Sequence, residues 1–174
     1  ERGAPILAVL SGFGNTTDGT GSTDPSVEGQ SDAMMLSLDM AQLSPEDVDA
    51  VAAHGTSTKA GDPQELKAIR NVLGSTRRYD ITAPKGAAGH QLGAAGSYGA
   101  AIAVEMIARQ ETPLTLNLEN PIDEARICEE AHSHKEECYL SIPKKNRRRR
   151  IENVLANSFG FGGQNVCLVF QNIE

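Results

Sequence analysis

A histidine flanked by small hydroxyl residues is the first feature that could carry chemistry, in the segment Ala53-His54-Gly55-Thr56-Ser57-Thr58. His54 follows an apolar stretch, so we expect it where a strand ends and a loop begins. In open α/β sheets, ligands bind at this carboxyl end of a strand. The neighbouring hydroxyl groups suit hydrogen bonding to an extended polar ligand. For this motif alone, a structural or solvated histidine is the alternative.

A second motif joins a lysine to a histidine through glycines and reads KGAAGHQLGAAG over residues 85–96. We expect Lys85 to follow a strand and His90 to open a helix. Free N–H groups and partial positive charge at a helix N-terminus favour a neutral imidazole that donates a hydrogen bond. The GxGxxG order of a dinucleotide loop is missing, which excludes that reading of the glycines.

The third motif is a glycine loop with the sequence NSFGFGGQN over residues 157–165. Glycines let the backbone turn sharply and approach a ligand closely. N–H groups exposed in such a turn could form an oxyanion hole, which stabilises negative charge on a reacting oxygen. A plain hairpin turn is the alternative for this segment alone.

Strands and helices alternate around these motifs, which predicts an α/β layered fold. The spacing of apolar residues predicts strands at 6–13, 48–53, 81–84, 153–158 and 165–171, with weaker candidates at 114–118 and 138–142. Helices are predicted at 30–43, 61–73 and 90–109, and Ser44-Pro45-Glu46-Asp47 is typical of a helix start. Gly93, Gly96 and Gly99 predict close packing of the last helix on the sheet. We therefore expect a mixed five-stranded sheet with helices packed on it and its last two strands antiparallel.

The composition fits one domain and excludes several functional classes. The chain has 174 residues and a formal net charge of −7, which argues against a general nucleic-acid binder. No apolar stretch reaches the roughly 18–20 residues that span a bilayer, so no membrane segment is expected. The first residues do not form a signal peptide and start abruptly, as a fragment would.

The cysteines and the basic run allow several interpretations. Cys167 lies in an apolar run and is expected to be buried, and reduced cysteines suit an intracellular protein. Cys128, His132, His134 and Cys138 could suggest a metal site, but a flexible charged loop is the preferred interpretation and no metal is expected. The run KKNRRRR at 144–150 could dock an acidic partner, bind nucleic acid or act as a nuclear signal. A solvated hairpin tip is the preferred interpretation of this run.

Together, the three motifs resemble in order and spacing the β-ketoacyl-acyl-carrier-protein synthases of the thiolase superfamily. The type II elongating synthases are nearest, and the ketosynthase domains of polyketide synthases are close behind. The resemblance runs from residue 6 to residue 170 but matches only the second half of such an enzyme. It implies that residues 1–174 form the carboxyl-terminal thiolase-like domain, and that the nucleophilic cysteine lies in an absent amino-terminal half.

The resemblance also implies catalytic roles. His54 and His90 are expected to donate hydrogen bonds to the malonyl thioester oxygen, where decarboxylation creates an enolate. Lys85 matches the active-site lysine of the family and Glu65 its acidic neighbour. We expect this pair to form an ion-pair network that orients the two histidines.

Further residues match the parts of the family that bind substrate. Thr56 and Thr58 match positions that contact the phosphopantetheine arm of the carrier protein. Phe161 matches the residue whose backbone N–H completes the oxyanion hole and whose ring gates the acyl pocket. Phe159 and Gly160 belong to the same loop, which is expected to move as a lid.

The implied reaction is the decarboxylative Claisen condensation of acyl groups with malonyl-acyl carrier protein in fatty acid biosynthesis. A polyketide ketosynthase and a chain-length-factor-like, non-condensing partner are the alternatives, and the chain alone is expected to be inactive. No cofactor is expected, because the phosphopantetheine of acyl carrier protein carries the substrates. Expected partners are acyl carrier protein, the missing half and a second copy in a homodimer, without nucleic acid or membrane. The expected location is cytoplasmic, or the mitochondrial or plastid matrix.

Overall fold

The computed structural model describes residues 2–19, 21, 23–74, 78–123, 127 and 140–173. The strands of this part of the chain are β1 (Val9–Thr17), β2 (Ala50–Ala52), β3 (Asp80–Thr82), β4 (Glu111–Thr112), β5 (Arg147–Arg148), β6 (Asn153–Gly160) and β7 (Gln164–Gln171). Its helices are α1 (Val27–Ala41), α2 (Gly61–Leu73), the single turn α3 (Lys85–Ala88) and α4 (Ala95–Arg109). Short 3-10 turns occupy Pro45–Asp47 and Leu92–Ala94.

The main sheet has five strands in the order β1-β7-β6-β2-β3. Strand β2 runs parallel to β3 and β6, and β7 runs antiparallel to both β6 and β1. One buried cluster joins α1 and α2 to one face of the sheet, and a second joins α4 to the other face. Successive side chains of β2 point to opposite faces of the sheet, so Val51 packs in the first cluster and Ala50 and Ala52 pack in the second. These findings confirm the prediction of a mixed five-stranded sheet with an antiparallel final pair.

Helix α2 has the predicted bounds, because its periodicity and its stop signal agree. Leu66, Ile69 and Leu73 are buried on one side. Gly74 ends the helix at a positive φ of 75° and donates its N–H to the carbonyl oxygen of Arg70. The spacing and the terminal glycine were therefore sufficient to place this element.

Strand β1 differs from the buried strand predicted at residues 6–13. It begins later, at Val9, and lies at the edge of the sheet, where Leu10 is 56% and Phe13 54% exposed. Its opposite face carries glycines that touch the helix backbone: a Cβ on Gly12 would lie 2.2 Å from the carbonyl oxygen of Ser37. The prediction of burial was wrong because an apolar run does not reveal that its strand lies at the edge of the sheet.

Helix α4 begins later than the predicted helix at 90–109, so the prediction that His90 opens a helix was wrong. Gly89, at a φ of 71°, ends the turn α3, and a 3-10 turn separates His90 from Ala95. Of the three glycines, Gly96 approaches the sheet: an added Cβ would lie 3.2 Å from the Ser158 hydroxyl. An added Cβ on Gly93 or Gly99 would meet nothing within 4 Å.

The two weaker strand candidates were not found. Residues 114–118 form coil and a turn, and the short strand nearby is β4. Residues 140–142 form no strand, and the rest of that candidate lies outside the described residues, as do Cys128, His132, His134 and Cys138. Within the described ranges, no cluster of three or more possible metal ligands occurs. The helices described there are all too short or too polar to cross a membrane.

The basic run forms ion pairs with acidic residues of the chain. Asp80 is fully buried, and its Oδ1 accepts hydrogen bonds from Arg147 Nη1 at 2.5 Å and from the Ser141 hydroxyl at 2.6 Å. Arg149 Nη1 lies 3.8 Å from the other Asp80 oxygen. Arg148 pairs with Glu111 while its side chain is 88% exposed. The interpretation as a solvated tip therefore fits Arg148 but not Arg147 and Arg149.

We expect the substitution Arg147→Met to lower the free energy of unfolding by about 1–3 kcal/mol, because it leaves a buried carboxylate without its main charged donor. Arg148→Met is the matched control, since an exposed ion pair contributes about 0–1 kcal/mol. Urea unfolding followed by circular dichroism measures both. Equal losses in the two variants would contradict a structural role for the Asp80 contact.

Candidate active site

One cavity of about 580 Å³ brings residues of all three motifs together. It lies where β2 and β6 end and α2 begins. The residues that line it include His54, Thr56, Thr58, Glu65, His90, Leu92, Ser158, Phe159, Gly160 and Phe161. Lys85 is not among the lining residues and lies on the far side of His54.

The loop that carries His54 is fixed from behind by Glu65 of α2. The carboxylate accepts the backbone N–H of His54 at 2.7 Å and the N–H of Gly55 at 2.8 Å. Asn157 of β6 donates its side-chain N–H to the same carboxylate at 3.1 Å. Glu65 is 3% exposed, and burial raises its pKa while these donors act in the opposite direction. The carboxylate thus ties the His54 backbone to α2 and to the central strand β6.

Lys85 holds His54 from the other side. Its Nζ lies 3.3 Å from His54 Nδ1 and also donates to the His54 carbonyl oxygen. An ammonium group only donates hydrogen bonds, so Nδ1 must accept and the proton of the neutral ring resides on Nε2. Lys85 and Glu65 were expected to form an ion pair. In the part of the chain described, both bond to His54 instead of to each other.

The His54 ring stays neutral over a wide pH range. Burial lowers its pKa to about 3, and the positive charge of Lys85 acts in the same direction. At neutral pH the ring therefore has one N–H group, on Nε2, beside the cavity. A neutral imidazole of this tautomer is a fixed hydrogen-bond donor rather than a proton carrier.

His90 has the same tautomer for a different reason. The backbone N–H of Leu92 donates to His90 Nδ1 at 3.1 Å, which leaves the proton on Nε2. The ring centroids of His90 and His54 lie 5.8 Å apart, and the rings are nearly perpendicular at 86°. Two rings that each keep an Nε2–H group therefore line one cavity, and such a pair of donors can stabilise negative charge that develops on one oxygen.

The glycine motif is the turn of the β6–β7 hairpin. Phe159 lies on β6 with its ring centroid 5.6 Å from that of His54, and Phe161 in the turn is 87% exposed. The carbonyl oxygen of Gly163 accepts the N–H of Asp18 at 2.8 Å, and Asn165 Nδ2 donates to Asp18 Oδ1 at 2.7 Å. One end of the turn is thus fastened to the segment after β1. An oxyanion hole at Phe161 stays a prediction.

The two threonines lie at the more exposed side of the cavity. Thr56 Oγ1 and Thr58 Oγ1 are 3.2 Å apart, and Thr58 Oγ1 accepts the N–H of Gly61 at 2.9 Å. This bond holds the backbone N–H of Gly61, the first residue of α2. Thr58 therefore supports the helix that carries Glu65, and Thr56 keeps hydrogen-bonding capacity for a ligand.

Two residues that sequence reasoning missed also support the site. Asn157 was part of the glycine motif, but only the fold reveals that it reaches Glu65. Asp18 fell in a segment interpreted as a loop, yet it accepts from Ser26 N and Asn165 Nδ2. A polar residue within the apolar run VLAN was the available signal for Asn157, and no signal pointed to Asp18.

Cys167 is buried on β7, which confirms the expectation of a buried cysteine. Burial raises the pKa of its thiol to about 12. A thiol of this kind carries almost no thiolate at neutral pH, so it is not suited to nucleophilic attack.

The pKa of His54 predicts a loss of stability in acid. Its folded-state pKa of about 3 lies below the unfolded value of ~6.5. Between these values the unfolded chain binds a proton that the folded ring does not, so stability is complete above ~6.5 and falls as the pH drops. The slope reaches at most about 1.4 kcal/mol per pH unit. The drop in melting temperature from pH 7 to pH 5 should be smaller in His54→Gln. An unchanged drop would contradict the neutral buried ring.

Comparisons with known proteins agree on one family. The profile described as "Beta-ketoacyl synthase, C-terminal domain" matches residues 7–119. A curated relative, 3-oxoacyl-[acyl-carrier-protein] synthase 2 of Coxiella burnetii, is 40% identical over 177 residues, covering 99% of this chain and 40% of the relative. The chain therefore spans about 40% of the length of the curated relatives it matches.

Two solved structures show the same fold. The ishigamide ketosynthase/chain length factor matches with a TM-score of 0.84 and 29% identity, covering 99% of this chain and 40% of that one. The structure of AntDE:AntF, a type II PKS acyl-carrier protein in complex with its ketosynthase bound to the hexaketide, matches with a TM-score of 0.83 and 26% identity. The match covers 99% of this chain and 40% of that chain.

Proposed function

The chain belongs to the β-ketoacyl synthase family, and we propose that it is the carboxyl-terminal part of a 3-oxoacyl-[acyl-carrier-protein] synthase of fatty acid biosynthesis. The observation that carries this proposal is that His54 and His90 line one cavity while Nδ1 of each ring is already engaged, which leaves Nε2–H as the donor. The relatives named as synthase 2, 36–40% identical to this chain, support fatty acyl substrates.

The proposed chemistry begins with a malonyl thioester whose carbonyl oxygen accepts hydrogen bonds from His54 and His90. The bond to the terminal carboxylate breaks, carbon dioxide leaves, and the electron pair moves onto the thioester to give an enolate. The enolate carbon then attacks the carbonyl carbon of an acyl thioester held on a cysteine of the other half of the enzyme. A carbon–carbon bond forms, the carbon–sulfur bond breaks, and the cysteine thiolate is released.

In this scheme the N–H groups of His54 and His90 donate to the thioester oxygen on which negative charge develops. Donors fixed before the reaction require no reorganisation when the enolate forms, which is the usual origin of a large rate effect. Lys85 and Glu65 act as positioning residues, since Lys85 sets the His54 tautomer and Glu65 fixes its backbone. Phe159 closes one side of the cavity beside His54.

Carrier-protein recognition is part of the proposal. Thr56 and Thr58 would bind the phosphopantetheine arm at the exposed side of the cavity, and the Phe161 backbone N–H would complete the oxyanion hole for the acyl thioester. The carrier-protein complex of the related ketosynthase supports acyl carrier protein as the partner. An amino-terminal half, a homodimer, no additional cofactor, and a cytoplasmic or organellar-matrix location complete the proposal.

A second candidate is a polyketide ketosynthase or a non-condensing, chain-length-factor-like subunit. The similarity to the ishigamide ketosynthase/chain length factor, at a TM-score of 0.84, supports this second candidate. The presence of His54, His90 and Lys85 favours a condensing enzyme, because a subunit that only shapes a pocket has no need of paired N–H donors.

The deciding experiment uses the full-length protein that contains this chain. The protein would first be loaded with a fatty acyl primer on its cysteine and then incubated with malonyl-acyl carrier protein. Mass spectrometry would measure both carbon dioxide release and the 3-oxoacyl product. Formation of 3-oxoacyl chains from simple fatty acyl primers is expected. Absence of both decarboxylation and condensation in the intact protein would overturn the proposal, and activity on polyketide intermediates alone would favour the second candidate.

A further inference from the structure

Segment 114–118, which forms coil and a turn, lies against the single helical turn α3. The Thr115 hydroxyl accepts the backbone N–H of Ala83, just before α3, at 3.0 Å. Asn117 donates its side-chain N–H to the carbonyl oxygen of Gly86, within α3, at 2.9 Å. The two hydrogen bonds therefore hold the chain on both sides of the active-site lysine, although the segment belongs to none of the three motifs.

A glycine at position 86 allows the segment to approach α3 this closely. A Cβ added to Gly86 would overlap the carbonyl oxygen of Leu116. The φ of Gly86 is not positive, so the close contact and not the backbone conformation requires glycine here. Any larger residue at this position would push α3 and the segment apart.

The segment itself is held in one shape. Its start is anchored where Leu114 donates its backbone N–H to the Asn146 side chain at 3.1 Å. Asn117 has a φ of 60°, in the left-handed region that asparagine tolerates better than most residues. The backbone turns there, and Glu119 donates its N–H to the Asn117 carbonyl oxygen at 3.1 Å. The amide of Asn117 is thus presented to α3 by a defined turn.

The turn α3 needs such support because it cannot fix Lys85 alone. It has four residues, and its first flanking residue, Pro84, provides no side-chain cap. A single turn contains too few hydrogen bonds to be stable by itself. Lys85 must nevertheless keep its Nζ near His54 Nδ1, 3.3 Å away, to hold the proton of the neutral ring on Nε2. A shift of α3 by about 1 Å would break this contact.

We infer that Thr115 and Asn117 are positioning residues that hold Lys85 against His54 for decarboxylation of the malonyl thioester. This inference rests on the proposed function, because it adds residues to the same site. Neither Thr115 nor Asn117 is among the residues that line the cavity. Both therefore act through Lys85 and not on the substrate.

The test compares Thr115→Val with the wild type in the full-length protein. Valine keeps the shape of the side chain but removes the acceptor of the Ala83 N–H. The kcat for carbon dioxide release from malonyl-acyl carrier protein should fall about three- to tenfold, the effect of one lost hydrogen bond. The KM should change little, since Thr115 does not contact the substrate. Thr115→Ser restores the hydroxyl and should recover most of the rate.

Thr112→Val is the matched control. It makes the same change at a buried hydroxyl that has no partner among the described residues, and it should leave kcat unchanged. If Thr115→Val does not fold, Asn117→Gly becomes the test variant, because glycine adopts the same φ and only the amide is lost. The same fall in kcat is expected for it, and Asn120→Gly, at an exposed position nearby, is its control.

A double-mutant cycle with Lys85→Met separates positioning from a general loss of structure. In the Lys85→Met background, the Thr115 substitution should slow carbon dioxide release by less than about twofold, because the lysine that it positions is gone. An equal loss in both backgrounds would overturn the inference. An unchanged rate in Thr115→Val or in Lys85→Met, beside an active wild type, would overturn it as well and leave the proposed function intact. A wild-type protein that does not decarboxylate malonyl thioesters would overturn the proposed function itself.

Discussion

Replacing His54 by alanine in the full-length protein is expected to slow decarboxylation of malonyl-acyl carrier protein by ~10²–10³-fold. The substitution removes one of two imidazole donors that line the cavity, while His90 stays in place. Loss of a fixed donor lowers the stability of the enolate more than that of the bound thioester. The effect should therefore appear in kcat, with a smaller change in KM. Release of carbon dioxide under single-turnover conditions measures it.

Two further variants make the His54 result specific. His54→Asn offers an amide N–H in place of the imidazole donor and should recover part of the lost rate. Lys59→Ala changes an exposed residue of the same loop that does not line the cavity, and should leave the rate unchanged. A full rate in His54→Ala would show that this donor does not contact the reacting oxygen.

Replacing Glu65 by alanine is expected to lower the free energy of unfolding by about 3–5 kcal/mol. The carboxylate is 3% exposed and accepts from His54 N, Gly55 N and the Asn157 side chain. Without it, two half-buried backbone donors and the buried Asn157 side chain lose their acceptor, and a buried donor left without an acceptor is costly. Urea unfolding of the protein gives the free energy, and activity should fall with it because the His54 loop is released.

A pair of milder variants tests the cause of that loss. Glu65→Gln keeps the shape but turns an NH₂ group toward one of the donors, so its cost should be smaller than that of alanine. Asn71→Ala lies at an exposed position of the same helix and should change stability by less than about 0.5 kcal/mol. Equal stability of Glu65→Ala and Asn71→Ala would mean that the carboxylate does not hold the loop.

The sequence was most informative where local signals agreed. Helix α2 has a clear periodicity and a terminal glycine, and the β6–β7 hairpin has two apolar strands around a glycine turn, so both were found. Strand β1 was misjudged, because exposure at a sheet edge depends on its neighbours and not on its own residues. The start of α4 was misplaced, because the small residues around His90 resemble a continuous helix in the sequence. In the structure Gly89 ends the turn α3 just before His90.

The sequence pointed to residues that the structure brings together, but it did not predict their contacts. The strand-end positions of His54 and Lys85 followed from the apolar runs before them, and parallel strands bring such ends together. The hydrogen bonds between Asn157 and Glu65, and between Lys85 and His54, join positions far apart in the chain. No local pattern encodes such a pair.

The placement of β1 has a consequence for how the protein is made. Its neighbour in the sheet is β7, so that Ser11 and Val169, 158 positions apart, must meet. During translation, β1 leaves the ribosome long before β7 exists, so the backbone groups of β1 that later bond to β7 remain unpaired along an apolar strand. Unpaired apolar edges of this kind are where nascent chains aggregate or bind chaperones. A nascent chain stalled before residue 164 should therefore be retained by chaperones, and release should follow synthesis of the final strand.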